Sequence, residues 1–231
     1  LAGAAISHPG DVILLTDRLE GGIEIDPDER VAVVSTAVTQ QEVQEAAAAH
    51  GLSLGIDTAS RGSATIGGMI STNAGGTAVL RYGNTRDLTL GREVVLPDGR
   101  IWNGLGSLRK DNTGYDLKQY FIGAEGTLGV ITEVSLKVMP RSEFTTTLAF
   151  ALPAAQAIDT MNRRAAVPSP LNGALWHAGR LFLRLSGAQS AVAQCAREWG
   201  GEPVSAQDAP LNLQYFDEGT SRDSVIEVMR Q

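Results

Sequence analysis

The chain has 231 residues, 43% hydrophobic and 19% charged, with a net charge of −7. That balance fits a folded globular chain with one large core or two modest ones. It excludes electrostatic docking on nucleic acid or on an anionic membrane. Cys195 is the one cysteine, so no internal disulfide forms, and a reducing compartment is expected. No run approaches the ~18 apolar residues of a membrane span, and no basic-then-apolar leader opens these residues. The expected location is the cytoplasm, or the periphery of the inner membrane through a partner.

Leu1-Ala-Gly-Ala-Ala reads as a small-residue turn, and residues 11–16 (Asp-Val-Ile-Leu-Leu-Thr) as a short apolar strand. Residues 23–34 predict two strands around an Asp26-Pro-Asp turn. Residues 39–50 predict a helix: Thr39 as N-cap, Glu42 closing a capping box, and Gly51 as the stop. Residues 88–95 and 100–104 predict a hairpin through Pro97-Asp98-Gly99. Lys110 to Tyr120 is a polar turn leading into a short helix. Residues 130–138 are β-branched and read as a strand. Short strands with few helices give an α+β fold, and no G-x-G-x-x-G between strand and helix supports a Rossmann reading.

Two glycine clusters stand out. The first, Arg61-Gly-Ser-Ala-Thr-Ile-Gly-Gly-Met-Ile-Ser-Thr-Asn-Ala-Gly-Gly-Thr-Ala-Val-Leu-Arg-Tyr-Gly83, holds six glycines among short hydrogen-bonding residues. Such density suits a place where a ligand approaches the main chain, and N–H-lined concavities suit phosphates. A flexible linker is the alternative, opposed by the apolar Ile66, Met69, Ile70, Val79 and Leu80. The second cluster, Phe121-Ile-Gly-Ala-Glu-Gly-Thr-Leu-Gly129, runs into the strand from Val130. Valine at Gly67 or Gly126 is expected to block a ligand while sparing the fold.

Beyond Pro140 glycine thins. Strand 144–152, helix 154–164, strands 171–177 and 181–186 joined at Ala178-Gly179, and helix 188–199 follow the split βαβ, ferredoxin-like order. Residues 204–231 resist placement, with 211–216 a strand or linker and 223–230 a short helix.

Five blocks in order, T-I-G-G-M-I-S-T-N-A-G-G, R-Y-G, E-V-V-L-P-D-G, K-D-N-T-G-Y-D-L and F-I-G-A-E-G-T-L-G-V-I-T-E-V, carry a resemblance. Residues 62–140 resemble the flavin-binding (PCMH-type) domain of FAD-linked oxidases of the vanillyl-alcohol-oxidase type. The similar branch holds D-lactate dehydrogenase, D-2-hydroxyglutarate dehydrogenase and glycolate oxidase subunits. The resemblance implies residues 1–140 as an FAD-binding domain whose N-terminal subdomain, with its G-G-G-T-G loop, is missing. Residues 141–231 would then be a partial cap on the substrate side, similar to that of glycolate oxidase FAD subunits.

The resemblance implies FAD as cofactor. It places Asp57, Ser60, Gly62, Thr65, Ile66, Gly67 and Gly68 along the pyrophosphate and flavin edge through backbone N–H groups and the Thr65 hydroxyl. Thr72, Asn73, Ala74, Gly75 and Gly76 form the next turn, and Tyr82 and Gly83 close it. Glu125, Gly126, Gly129, Val130 and Ile131 face the adenosine. Bland readings stand beside these. Asp57 equally caps a turn, Asn73 an Asx turn, and Glu125 a solvated loop. Tyr115 and Tyr120 read by default as core, Arg109 and Lys110 as a solvated pair, and His8, His50 and His177 as surface or turn residues.

The implied reaction oxidises a D-2-hydroxy acid such as D-lactate, D-2-hydroxyglutarate or glycolate to the 2-oxo acid, with hydride transfer to flavin N5. The electron acceptor stays open, and partner subunits enter only through the alternative, an FAD-binding non-catalytic subunit of a glycolate-oxidase-like complex. No block like the family's H-G-D-G-N-x-H appears, so no catalytic residue and no metal site is assigned. These 231 residues alone are expected to be inactive.

Overall fold

The computed structural model describes residues 6–76, 78–205 and 208, and the chain divides into two units, Leu1–Pro140 and Arg141–Gln231. The turn expected at 1–5 and the elements expected at 211–216 and 223–230 lie outside the described residues. Residues 11–16 form no strand, contrary to expectation. Val12, Ile13, Leu14 and Leu15 are 67–95% exposed, with no ladder partner among the described residues. Apolar, β-branched residues favour a strand only when a neighbour supplies the hydrogen bonds.

In the first unit, β1 (Ile23–Asp26) and β2 (Val31–Ser35) form the expected hairpin. The Asp26 carboxylate accepts the N–H groups of Asp28 (3.0 Å) and Glu29 (2.9 Å), which fixes the turn. α1 (Gln40–Ala48) follows, capped by Thr39, and β3 (Leu52–Leu54) comes after Gly51, whose φ is +70°. Three short helices cross next: α2 (Ile66–Ser71), α3 (Val79–Tyr82) and α4 (Thr85–Leu88). β4 (Thr89–Val95) and β5 (Ile101–Gly104) make the second hairpin, with Gly99 at φ +82°. One turn of helix, α5 (Lys118–Phe121), precedes β6 (Val130–Pro140).

The eleven-residue β6 is the spine. The sheet order is β1-β2-β6-β4-β5, and β3 also pairs with β6, every pairing being antiparallel. Alternation along β6 sends Val134, Leu136 and Val138 inward to meet Val34, Val43, Leu54, Ile66, Ile70 and Leu88. The core therefore lies between the sheet and the helices α1, α2 and α4.

In the second unit, β7 (Phe144–Ala151), α6 (Ala154–Ala165), β8 (Leu171–His177), β9 (Arg180–Gly187), α7 (Gln189–Trp199) and β10 (Glu202–Val204) build a sheet of order β10-β7-β9-β8. β7 and β8 both run antiparallel to β9 between them, which is the split βαβ arrangement. Leu181, Leu183 and Leu185 of β9 are fully buried, beside Leu148, Ala157 and Val192. The α+β class expected from the sequence holds in both units.

The α1 cap carries a measurable load. The Glu42 carboxylate accepts from the Thr39 N–H (2.7 Å), while the Thr39 hydroxyl accepts from the Glu42 N–H (3.3 Å). The Thr39 backbone bond, with help from its hydroxyl, holds the Glu42 carboxyl below its ordinary pKa. Thr39→Ala is expected to cost about 1 kcal/mol in urea unfolding at neutral pH. A lowered folded-state pKa gives stability that is present above the unfolded value and lost as pH falls through the folded one. The gap between wild type and variant should therefore shrink below the carboxylate range. A gap constant down to strongly acidic pH would remove Glu42 from the cap.

Candidate cofactor site

The first glycine cluster enters through an isolated bridge between Thr65 and Thr39, then turns into α2 with Thr65 as N-cap. Ile66 buries its side chain and donates its N–H to the Val38 carbonyl (2.9 Å). Gly67 donates to Thr36 O (3.0 Å), and Gly68 donates to the Thr65 hydroxyl (3.3 Å). These three amides, expected to face a phosphate, are thus bonded inside the protein. The cause is docking: the start of α2 packs on the chain leaving β2 instead of opening outward.

Glycine is required here by that docking. A Cβ on Gly67 would lie 2.8 Å from Thr36 Cβ, and one on Gly76 2.5 Å from the Asp57 carbonyl oxygen. One on Gly129 would meet Val94 Cγ1 at 2.7 Å and Val95 O at 2.8 Å. The expectation that Gly67 is open to a ligand is therefore corrected. Gly126 differs: its φ is +79°, and no atom lies within 4 Å of a Cβ built there.

Three links bring the clusters together. At the end of α2, Ile70 O accepts from the Gly123 N–H (3.1 Å) and Ser71 O from the Glu125 N–H (2.9 Å). Asn73, at φ +49°, accepts the Arg86 N–H on its side-chain oxygen (3.1 Å). The Arg86 guanidinium in turn donates to Gln119 O (3.1 Å), Gln119 Oε1 (2.6 Å) and Ile122 O (2.6 Å). Asn73 therefore clamps a neighbouring segment and forms no Asx turn of its own. The result is a wall with Gly68, Gly75, Glu125 and Gly126 exposed and Thr72, Asn73, Ala74 and Gly76 partly exposed between them. The Thr72 hydroxyl is held by Gly68 O (2.8 Å). Small side chains on a bonded backbone leave room for an extended ligand along this face, so the residues present fit one side of a dinucleotide.

The other expected positions fall around this wall. Ser60 and Gly62 are exposed in the turn before α2. Asp57 is partly buried and pairs with Arg61 at 3.4 Å; burial pushes its carboxyl up, and Arg61 opposes the shift. Tyr82 packs on Gly55, where a Cβ would lie 3.0 Å from its Cβ and Cγ, and Gly83 (φ +81°) stands against the Asp87 side chain. Val130 and Ile131 open β6 opposite Val95 and Val94. The Ile131 carbonyl takes the Thr36 hydroxyl (2.7 Å). β2 ends at Ser35, opposite Glu133, so Val130 extends past it on that side.

Thr36 and Arg86, which hold the segments of the wall together, are absent from the sequence expectations. Each makes contacts more than thirty residues away, Thr36 to Ile131 and Arg86 to Gln119, and no local pattern marks them. Tyr115 and Tyr120, read as core, are 93% and 66% exposed. Phe121 stacks on Trp102 (5.6 Å between centroids) and Ile122 is buried, so the inward side of α5 belongs to them. Arg109 reaches back to the carbonyl of Glu29 (3.1 Å). His8, His50 and His177 are exposed. Among the described residues no group of three His, Cys, Asp or Glu side chains is placed to hold a metal, and no helix is long and apolar enough to cross a membrane.

Comparison with known proteins adds to this geometry. Residues 1–104 match the family described as FAD binding domain. The chain is 40% identical over 166 residues to D-lactate dehydrogenase of Archaeoglobus fulgidus, covering 70% of this chain and 36% of that protein. It is 45% identical over 141 residues to mitochondrial D-2-hydroxyglutarate dehydrogenase of Rattus norvegicus, covering 61% and 26%. It is 40% identical over 148 residues to glycolate oxidase subunit GlcD of Bacillus subtilis, covering 64% and 32%. The chain thus spans roughly a third or less of the relatives it matches. Among solved structures, alkyldihydroxyacetonephosphate synthase superposes with a TM-score of 0.58 at 21% identity, over 79% of this chain and 39% of that one. That likeness concerns the fold alone.

The glycine geometry predicts different outcomes at two positions. Gly67→Ala must push Thr36 aside and is expected to cost about 1–3 kcal/mol. Gly126→Ala meets no neighbour and is expected to cost about 1 kcal/mol, from positive φ alone. Denaturant unfolding without added flavin checks both. Equal losses would show that α2 does not depend on close approach at Gly67.

Proposed function

We propose, from a chain whose residues 1–104 are an FAD-binding domain of the PCMH type and whose homologues include D-lactate and D-2-hydroxyglutarate dehydrogenases and a glycolate oxidase subunit, that the full-length protein is an FAD-dependent dehydrogenase. Its substrate is a D-2-hydroxy acid such as D-lactate, D-2-hydroxyglutarate or glycolate, and its product the 2-oxo acid. The observation that supports this most is the wall made by two glycine clusters about fifty residues apart, bonded to each other through Ile70, Ser71, Gly123 and Glu125. Bound FAD supplies the two-electron chemistry that the chain's own side chains lack.

The role of the chain is placement. Gly68, Thr72, Gly75 and Gly126 give the cofactor a face free of bulky side chains. The hydroxyls of Ser60 and Thr65 are donors available to phosphate oxygens, because the amides of residues 66–68 are occupied and the Thr72 hydroxyl is donated to Gly68 O. Val130, at the free edge of β6, offers its backbone to a base. Asp57, Gly62, Asn73, Ala74, Gly76, Tyr82, Gly83, Gly129 and Ile131 shape the wall from behind, by packing and by internal hydrogen bonds. Residues 1–140 then form the cofactor domain, and residues 141–231 part of a substrate-side cap.

A second reading, a cofactor-holding subunit whose partner completes the substrate site, is favoured by one specific observation. Residues 57–131, which hold every position proposed for the cofactor, contain no histidine. A proton acceptor for the substrate hydroxyl then comes from elsewhere in the whole protein or from a partner.

The full-length protein is expected to purify yellow and to release FAD, not FMN, on denaturation. It should reduce an artificial electron acceptor with at least one of D-lactate, D-2-hydroxyglutarate and glycolate. A colourless protein that gains no flavin absorbance with added FAD would end the reading. Flavin with no turnover on any of the three acids would favour the subunit reading.

A further inference from the structure

Arg86 stands where the two glycine clusters meet. It is carried on α4, and three bonds bracket α4 onto the first cluster. The Arg86 N–H reaches the Asn73 side-chain oxygen (3.1 Å), and Thr85 gives its N–H (3.1 Å) and its hydroxyl (2.7 Å) to the Ala74 carbonyl. Thr85 and Leu88 are buried, and the Asp87 carboxylate accepts the Asn84 N–H (2.8 Å) to close the start of the helix. The backbone of Arg86 is thus fixed on the first cluster.

From that base the guanidinium spans to α5. Nη1 donates to Gln119 O (3.1 Å) and Gln119 Oε1 (2.6 Å), and Nη2 donates to Ile122 O (2.6 Å). Two arms of one planar fork hold the turn at Gln119 and again at Ile122. α5 has little support of its own: it is four residues long, buries no side chain fully and has no side-chain cap. So short a helix does not persist on propensity. Phe121, stacked on Trp102, is its other anchor. Gly123 follows directly, and a Cβ there would lie 3.6 Å from Arg86 Nη2 and 3.5 Å from Asn73 Cβ. The fork, Asn73 and the start of the second cluster therefore meet at one point.

We infer that Arg86 is a positioning residue for the cofactor: by holding α5 it sets where Glu125 and Gly126 stand against Gly68 and Gly75 across the wall. It acts through α5 and not by touching the ligand. The inference rests on the FAD reading above, because the wall is the surface proposed for that ligand. The backbone bonds from Gly123 to Ile70 and from Glu125 to Ser71 close the loop onto α2, and Arg86 holds the helix that delivers the loop. A guanidinium suits this task because its bonds to carbonyls exceed neutral ones, and its fork fixes angle as well as distance. A lysine keeps the charge but loses the fork.

The test compares full-length wild type, Arg86→Lys and Arg86→Ala, each freed of bound flavin. FAD affinity is read by flavin fluorescence. Trypsin cleavage after Lys118, whose side chain is 24% exposed and paired with Asp116, is read without flavin. Arg86→Ala is expected to bind FAD about tenfold more weakly or worse. It should also be cut after Lys118 several-fold faster, with cleavage in residues 141–205 unchanged. Arg86→Lys should fall between wild type and Arg86→Ala in both readouts. Guanidinium chloride at millimolar concentration, far below denaturing levels, should restore affinity to Arg86→Ala, and methylammonium chloride should not.

Wild-type affinity and wild-type cleavage in Arg86→Ala would overturn the proposal. So would a loss of affinity that guanidinium does not restore, which would assign the effect to general damage of the fold. Equal rescue by methylammonium would leave no role for the fork and overturn it too. Where Arg86→Ala does not fold, Arg86→Lys decides, with unchanged affinity and cleavage overturning the proposal. Wild type that takes up no FAD would end the flavin reading and this inference together, whereas wild type and variants that bind FAD equally would overturn this inference alone.

Discussion

Two backbone hydrogen bonds at the end of α2 hold the candidate site together. Ile70 O and Ser71 O lie in the last turn, whose carbonyls lack i+4 partners, although Ile70 O also takes the Asn73 N–H just beyond the helix (3.0 Å). Here the amides of Gly123 and Glu125 supply what the helix cannot. Both acceptor residues sit in the first glycine cluster and both donors in the second. Gly123 has φ +78° and Glu125 φ +50°, left-handed positions on either side of Ala124 in the loop whose amides meet the helix end. The Asn73–Arg86–Gln119 chain repeats the same tie with side chains.

That constraint explains why so much glycine is spent inward. A six-residue helix has little propensity of its own and persists through its tertiary contacts. α2 is held by Thr36 and Val38 at its start and by residues 123 and 125 at its end. Thr36 joins three elements at once, accepting from Gly67 and donating to Ile131 and Thr132 of β6. The wall proposed for the cofactor is thus an outer surface on a rigid stack whose inner contacts set the glycine positions. Binding geometry is better preserved on such a stack than on a free loop.

Among the described residues of the same unit, the buried Arg92 guanidinium has no hydrogen-bond partner. β4 packs a guanidinium at a position where its neighbours across the sheet are apolar, and the acid nearest in effect lies on an exposed turn. A core with an unmatched cation gives up stability. The in–out alternation of Gly91-Arg-Glu-Val94 shows this in the sequence itself: Arg92 and Val94 share a face, and Val94 is core.

The sequence by itself determined the local elements. The Thr39–Glu42 cap, the Gly51 stop, the Asp26 and Gly99 turns, the long strand after Val130 and the element order of the second unit all follow from contacts within a few residues. The five motif blocks were equally legible, and with them the likeness to FAD-binding domains. Tertiary structure alone decided which of those residues face outward. The amides of 66–68 were turned inward by Thr36 and Val38, some thirty residues earlier. Tyr115 and Tyr120 were displaced from the core by Phe121 and Ile122, which the sheet and Trp102 receive. The stretch at 11–16 has strand composition but no strand to pair with among the described residues. In each case the deciding partner lies far along the chain or must come from another strand. Caps and turns are closed by neighbours, whereas donor availability, exposure and strand pairing are settled only when distant segments meet.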